Sequence, residues 1–283
     1  MAIITISRGC SSCGEEIAER VAEMLGYECI SREILLEASH FFHVPEAKLL
    51  KSLHDAPTIL ERMTHGRERY LAYIQAALLE HVKRDNVVYH GHAGHLLLAE
   101  VCPALKVRVI AELGERVAFL RRQQRISKDE ALAYIEDEDR HRTNWTRYLY
   151  KTDVNSPELY DILVNIGQLR IRDACEIIRT ATLRNTFKLT SKSKKAIENF
   201  ALSRHVNAAL QDVCEAEVTA EEGILQIKVR GQKVRKTGIA SPKLQQQVRE
   251  RIREDLTKEI LQIVREIPGV KDVICNIDLP YYS

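Results

Sequence analysis

Near the start of the sequence, the stretch IITISRGCSSCGEEIAERVAEMLGY runs from Ile3 to Tyr27. An apolar, β-branched strand runs into a short loop and then into a segment with the apolar spacing of a helix. Gly9 and Gly14 stand at the G-x-x-x-x-G spacing of a phosphate-binding loop, whose backbone N–H groups cradle phosphates. Such a loop continues with Lys and then Ser or Thr, whereas this chain continues with Glu15 and Glu16. The stretch therefore predicts a strand, a loop and a helix with an unusual charge at the loop.

Composition excludes several classes of protein. The chain has 283 residues, of which 45% are hydrophobic and 29% are charged, so it can build a packed core. Its formal net charge of +2 gives no argument for nucleic acid or an anionic membrane as a partner. No apolar run is long enough to span a bilayer, and we find no secretory signal. The seven scattered cysteines are typical of a reducing compartment, so we expect a cytoplasmic protein.

Strand and helix patterns alternate as far as Thr182. The predicted strands are Ile3–Ser7, Glu28–Ile30, Asn86–Tyr89, Leu105–Ala111 and Tyr160–Val164. This alternation is typical of an α/β domain, in which a mostly parallel sheet is covered by helices on both faces. Ligands of such sheets bind beyond the carboxyl ends of the strands. We therefore expect Arg8–Glu16, His90–His95 and Asn165 to lie on one rim.

The chain is expected to contain two domains. Residues 1–183 form the α/β domain, with a helical insert at 31–84 and a lid at 114–150, in which Ser127 and Glu130 predict a capping box. The polar, basic stretch 184–195 is predicted to be a linker. Residues 196–283 follow the order α-β-β-α-β, with the first two strands meeting around Arg230–Gln232, and predict a small α+β domain.

Several separated motifs resemble the cytidylate-kinase-like family of P-loop proteins. Ile4–Arg8 and Glu16–Ala18 are similar to the opening of that family. ISKDEALAYIEDEDRHR at Ile126–Arg142 resembles its lid helix, with Asp139 and Arg142 at the characteristic positions. Thr152–Leu169 resembles its last strand, with Tyr160, Asp161 and Asn165. The resemblance covers roughly the first 180 residues and includes several motifs in order, which is more specific than one loop. The C-terminal segment resembles a BON module, mainly through PGVKDV at Pro268–Val273.

The resemblance implies a nucleoside-monophosphate kinase that moves the γ-phosphoryl group of ATP, with Mg²⁺, to CMP or a related acceptor. It implies phosphate-binding roles for Arg8, Gly9, Ser11, Ser12 and Gly14, and catalytic roles for Arg121, Arg125, Asp139 and Arg142. It also implies that the BON-like domain binds a ligand or partner, and exposed strand edges there would support a homodimer.

Two features depart from the family pattern. An Arg usually stands at the position of Glu15, and a carboxylate within about 4 Å of a phosphate costs on the order of 4 kcal/mol at an effective dielectric near 20. Acidic residues in a first turn also complement the helix dipole and can point to solvent. In the second departure, HGHAGH at His90–His95 replaces a loop that carries an Arg.

These departures leave two alternatives to a kinase open. One is a non-catalytic sensor of nucleotides or other ligands on a kinase-like scaffold. The other is a zinc, soft-metal or redox site, because adjacent strands would bring Cys10 and Cys13 close to His90 and His92. The other explanation is that the cysteines are small residues in a loop and that the histidines are hydrogen-bonding groups in place of an Arg.

Overall fold

The computed structural model describes residues 2–54, 66–101, 103–231, 233–234 and 241–282. The chain divides into two compact units, Met1–Lys194 and Lys195–Ser283. Part of the predicted helical insert, residues 55–65, lies outside the described residues. No described helix is long and apolar enough to cross a membrane.

The first unit is built on a parallel sheet. Its strands are β1 (Ile3–Arg8), β2 (Glu28–Ile30), β3 (Val87–Tyr89), β4 (Ala104–Ala111) and β5 (Ile162–Ile166), in the spatial order β2-β3-β1-β4-β5. Every neighbouring pair is parallel. The strand that feeds the glycine loop therefore lies at the centre of the sheet, which is where the apolar run Ile3, Ile4 and Ile6 is fully buried. The predicted parallel α/β sheet is confirmed.

Helices cover this sheet. They are α1 (Gly14–Leu25), α2 (Glu33–Phe41), α3 (Glu46–His54), α4 (Gly66–Val82), α5 (Gly94–Leu97), α6 (Leu113–Gln124), α7 (Lys128–Tyr150) and α8 (Ile171–Thr182), with short 3₁₀ turns at Pro157–Leu159 and Asn185–Phe187. Ile17 and Val21 of α1 pack with Ile178 of α8 on the buried strands. Helix α7 begins at the predicted capping box, in which Ser127 accepts a hydrogen bond from the Glu130 amide. Its Trp145 is fully buried and donates a hydrogen bond to the Ser52 carbonyl of α3, at 2.7 Å.

The second unit is a small α+β structure. Its described elements are α9 (Ser191–Leu210, which begins in the first unit), β6 (Ala216–Glu221), β7 (Ile224–Val229), β8 (Lys233–Val234), α10 (Pro242–Arg265), β9 (Asp272–Ile277) and β10 (Tyr281–Tyr282). Strand β7 pairs antiparallel with β6 and parallel with β9, while β8 pairs with β10.

Two predictions for this region need correction. Strands β7 and β8 flank the stretch Arg230–Gln232, where two strands were predicted, but an additional hairpin joins β6 to β7 and turns at Glu222 and Gly223, both with positive φ. Strand β6 was missed because two of its three inward residues, Ala216 and Ala220, are too small to give a strong alternating pattern. Helix α9 begins at Ser191, inside the stretch predicted to be a linker.

Candidate active site

The glycine loop, Gly9–Cys13, joins β1 to α1 at the centre of the sheet. Ser12 is buried, and its hydroxyl donates to the carbonyls of Gly9 at 3.0 Å and Val109 at 3.2 Å. Its hydroxyl therefore fixes the loop on β4. Position 14 has no room for a side chain, since a Cβ there would lie 2.6 Å from the Cβ of Arg8. The predicted strand, phosphate-type loop and helix are all present.

The two loop glutamates pair with nearby arginines. The Glu15 side chain is 62% exposed and lies 3.5 Å from the guanidinium of Arg8, which ends β1. Glu16 lies 2.6 Å from Arg20, one turn further along α1. Each carboxylate therefore has a cationic partner, and Glu15 turns toward the strand end.

A clasp of three residues holds the lid helix α7 against the loop. The Cys10 amide donates to Asp139 at 3.2 Å, and Arg116 of α6 donates to the same carboxylate at 2.6 Å. Arg116 also donates to the Cys10 carbonyl at 2.6 Å, which closes a ring of hydrogen bonds. We call Cys10, Arg116 and Asp139 the lid clasp. One turn further along α7, Arg142 donates to the Arg8 carbonyl at 2.7 Å.

The arginines predicted for the lid separate into two groups. Arg142 is partly buried and reaches the loop, as described. Arg121 and Arg125 are exposed, and neither lines the cavities described below. Sequence reasoning missed Arg116, because nothing in its helical context distinguishes it from a surface residue.

Two cavities include Arg8, at the end of β1, in their lining. The first, the loop cavity, has a volume of about 410 Å³ and is lined by the glycine loop, α1 and the lid. Its charged lining residues are Arg8, Glu15, Glu16, Glu19, Glu138 and Arg142. The second, the arginine cavity, has a volume of about 200 Å³ and lies between β1, β3, β4 and the insert. Its charged and histidine lining residues are Arg8, Arg32, Arg108, Arg142, His90, His92 and His95. Both cavities are lined by Arg8 and Arg142.

Two histidines of the arginine cavity, His90 and His95, are neutral at pH 7. Burial, followed by the charge of Arg8, lowers the pKa of His90 to about 4. Its Nδ1 lies 3.0 Å from an Arg8 nitrogen and accepts that hydrogen bond. Burial, followed by the charge of Arg108, lowers the pKa of His95 to about 3. None of the described residues that line this cavity is acidic, so its charge at neutral pH comes from the arginines.

The predicted cysteine–histidine metal site is not formed. His90 is bonded to Arg8, and the ring of His92 packs on Trp145 with their centroids 4.7 Å apart. Burial raises the thiol pKa of both Cys10 and Cys13 and so favours the protonated thiol. A protonated thiol is a poor metal ligand and a poor nucleophile. The described part of the chain contains no group of three or more His, Cys, Asp or Glu side chains placed to hold a metal ion. The structure therefore gives no support to the prediction of zinc or another soft metal at these four residues.

Residues 3–168 match the model of the cytidylate kinase-like family, with the loop, the insert and the lid inside the match. This chain belongs to the cytidylate kinase-like family. Residues from 169 onward, including the second unit, lie outside that match.

Individual relatives agree with this membership. The cytidylate kinase of Ignicoccus hospitalis is 28% identical over 185 residues, which cover 65% of this chain and 100% of the relative. The cytidylate kinase of Pyrobaculum calidifontis is 31% identical over 132 residues, covering 45% of this chain and 65% of the relative. A solved structure of an uncharacterized protein from Eubacterium ventriosum superposes with a TM-score of 0.50 at 15% identity, over 65% of this chain and 100% of that one. That likeness concerns the fold alone.

Proposed function

We propose that the first unit of this family member is an ATP-dependent kinase that phosphorylates a nucleoside monophosphate, with CMP as the first acceptor to test. The observation that carries the proposal is that Arg8 and Arg142 line both the loop cavity and the arginine cavity. Phosphoryl transfer needs little covalent help, but it needs positive charge on the moving phosphoryl oxygens. Two guanidiniums between a donor cavity and an acceptor cavity supply that charge where the group would pass.

In this proposal the loop cavity takes the donor nucleotide. The backbone of the glycine loop binds its phosphates, and Arg8 and Arg142 replace the missing P-loop lysine. The family implies Mg²⁺, which takes oxygen ligands, and Glu16 stands where a P-loop normally has its Ser or Thr ligand. Glu16 and Glu138 both line the loop cavity and fit such a hard cation. When bound, Mg²⁺ neutralises charge on the donor phosphates.

The arginine cavity takes the acceptor. Its arginines suit the acceptor phosphate, because a guanidinium binds phosphate oxygens through paired N–H donors. Leu35, Leu50 and Leu53 line the same cavity and supply an apolar wall for a base or sugar. The choice of CMP rests on the two relatives, which are both named cytidylate kinase.

The test is ATP-dependent turnover with CMP, UMP, AMP and GMP, followed by Arg142→Gln. We expect turnover with a pyrimidine monophosphate and a loss of at least about 100-fold in kcat for the variant, since arginines that act in phosphoryl transfer contribute about 10³–10⁵. Arg172→Gln, an exposed arginine on α8, is the matched control and should keep wild-type turnover. No turnover with any of the four acceptors would refute the kinase.

A sensor is the second candidate, and the carboxylates of the loop cavity favour it. Glu15, Glu16, Glu19 and Glu138 all line that cavity, and they oppose a polyphosphate that arrives without a cation. Calorimetric titration of ATP with and without Mg²⁺, combined with the turnover assay, separates the candidates. Binding without turnover would support the sensor, whereas robust turnover would exclude it.

A further inference from the structure

Arg108 is a buried cation without a described counter-charge. It lies in the middle of β4, between Val107 and Val109, and is only 6% exposed. Its hydrogen bonds go to two neutral oxygens, Ser7 Oγ at 2.9 Å and Asn155 Oδ1 at 3.1 Å. Its guanidinium carbon also lies 5.8 Å from the centre of the Tyr160 ring. In the part of the chain that the structure describes, none of these partners carries a negative charge.

The surroundings of Arg108 make this burial more costly. Burial lowers the pKa of Arg108, and Arg142 and Arg116 lower it further through like-charge repulsion. Tyr160 and then Asp139 act in the opposite direction, but burial raises the pKa of Tyr160 and keeps its hydroxyl neutral. Both oxygens of Asp139 are already bonded in the lid clasp. A buried guanidinium is normally stabilised by a paired anion, because desolvation of an unpaired charge is strongly unfavourable.

The position of Arg108 points to a ligand as the missing anion. In the sheet it lies directly opposite Ser7, one residue before Arg8, and it lines the arginine cavity. His95 lines the same cavity and is 3% exposed, and its Nδ1 has no hydrogen-bond partner in the described structure. A buried cation and a buried, unpaired ring nitrogen at one cavity are two independent signs of a site that is completed by a bound molecule.

We propose that Arg108 forms a phosphate subsite at the base of the arginine cavity, which binds the phosphate dianion of the acceptor. Four arginines line this cavity, and three of them, Arg8, Arg108 and Arg142, stand around the strand end. A dianion with several oxygens pairs with these three better than a single carboxylate does. Ser7 and Asn155 orient the Arg108 fork, since each binds one of its terminal nitrogens. The identity of the acceptor rests on the proposed kinase function, whereas phosphate binding at Arg108 does not.

The test uses the full chain and inorganic phosphate as the probe, with thermal unfolding and calorimetry as readouts. Phosphate should raise the Tm of the wild type and of the Arg172→Gln control. In Arg108→Gln the phosphate Kd should rise by about 10- to 100-fold, the loss expected for a charge-assisted hydrogen bond. Without phosphate, the Tm of Arg108→Gln should equal or exceed that of the wild type, because an uncompensated charge has been removed. Competition with CMP identifies the source: displacement of phosphate by CMP assigns the subsite to the acceptor, and simultaneous binding assigns it to free phosphate.

Other results would overturn the subsite. Equal phosphate affinity in the wild type and Arg108→Gln would do so, as would the absence of phosphate binding to the wild type. A lower Tm in the variant with an unchanged phosphate-dependent shift would mean that Arg108 is purely structural. If Arg108→Gln does not fold, Arg108→Lys keeps the charge but loses the fork and should still weaken phosphate binding. Phosphate binding without any kinase turnover would refute the proposed function and leave this subsite standing.

Discussion

The lid clasp gives the sharpest prediction, because two side chains hold one loop residue: Asp139 accepts from the Cys10 amide, and Arg116 donates to the Cys10 carbonyl. In Asp139→Asn the carboxylate becomes neutral while its shape is retained. Arg116, whose side chain is only 11% exposed, then loses its counter-charge, and the Cys10 amide loses a charged acceptor. A hydrogen bond to a charged group contributes about 1.5–3 kcal/mol, while an exposed ion pair contributes about 0.2–1 kcal/mol. Since Asp139 is 38% exposed, we expect a coupling energy near the lower end of the first range, about 1.5 kcal/mol.

The assay is hydrogen exchange of the loop peptide, Gly9–Gly14, combined with a double-mutant cycle of Asp139→Asn and Arg116→Gln. A loss of about 1.5 kcal/mol makes local opening about 10-fold more frequent, and the amide should exchange faster by that factor. The two variants together should cost clearly less than the sum of their separate effects, because each removes the same contact. Turnover should fall in each variant, since the lid no longer holds the loop.

Asp137→Asn is the matched control for this prediction. Asp137 lies on the same helix and pairs with Arg140 in an ion pair whose two side chains are at least half exposed. The same chemical change there should alter loop exchange by less than about 2-fold. Equal effects of the Asp139 and Asp137 variants, or strict additivity in the cycle, would show that the clasp does not couple the lid to the loop.

Three further outcomes follow from the geometry. Glu15→Gln should tighten ATP binding by about 2- to 5-fold, because it removes a surface ion pair and frees Arg8 for the donor phosphates; unchanged affinity by calorimetry would contradict this role. Gly14→Ala should abolish ATP binding, because the new methyl group would lie 2.6 Å from the Cβ of Arg8, while circular dichroism should show that the protein stays folded. Wild-type affinity would show that ATP binding does not need a glycine at this position. Burial lowers the pKa of His81, but hydrogen bonds to Glu37 and Glu28 outweigh this and raise it above its usual value, so its stabilising contribution is complete below about pH 6.5 and is lost as the pH rises. From pH 6.5 to 8.5 the Tm should therefore fall more steeply in the wild type than in His81→Gln. The buried neutral histidines titrate below this pH range and do not contribute to the slope. Equal slopes would refute a charged His81.

Much of the first unit was predictable because its signals are local. The β-branched run at Ile3–Ile6, the glycine spacing and the Ser127 capping box each act through neighbouring residues, and each is observed. The two alanines that face inward in β6 give no comparable signal, so that strand was missed.

The site was less predictable, because its contacts join residues far apart in the chain. Cys10 meets Asp139 across 129 positions, and Arg116 meets Cys10 across 106. Proximity of the cysteines to the histidines was assumed from adjacent strands, but the direction of His90 is set by Arg8, which no sequence pattern reveals. Arg108 was detectable in the sequence, because a charged residue between two valines of a buried strand is unfavourable for folding and therefore indicates a functional role.

The two loop carboxylates and the buried arginines are parts of one charge arrangement. A P-loop lysine would place its cation inside the loop, and Glu15 and Glu16 remove that option. The cations stand instead at the strand ends and on the lid: Arg8 faces both cavities, and Arg142 reaches the site only because α7 is docked on the loop. Catalysis would then depend on lid docking more than in a protein with a loop lysine. If this is correct, loss of the clasp at Asp139 should reduce turnover by a larger factor than it reduces ATP affinity, because it disturbs the arginine that the transition state needs while the loop backbone still binds the ground state.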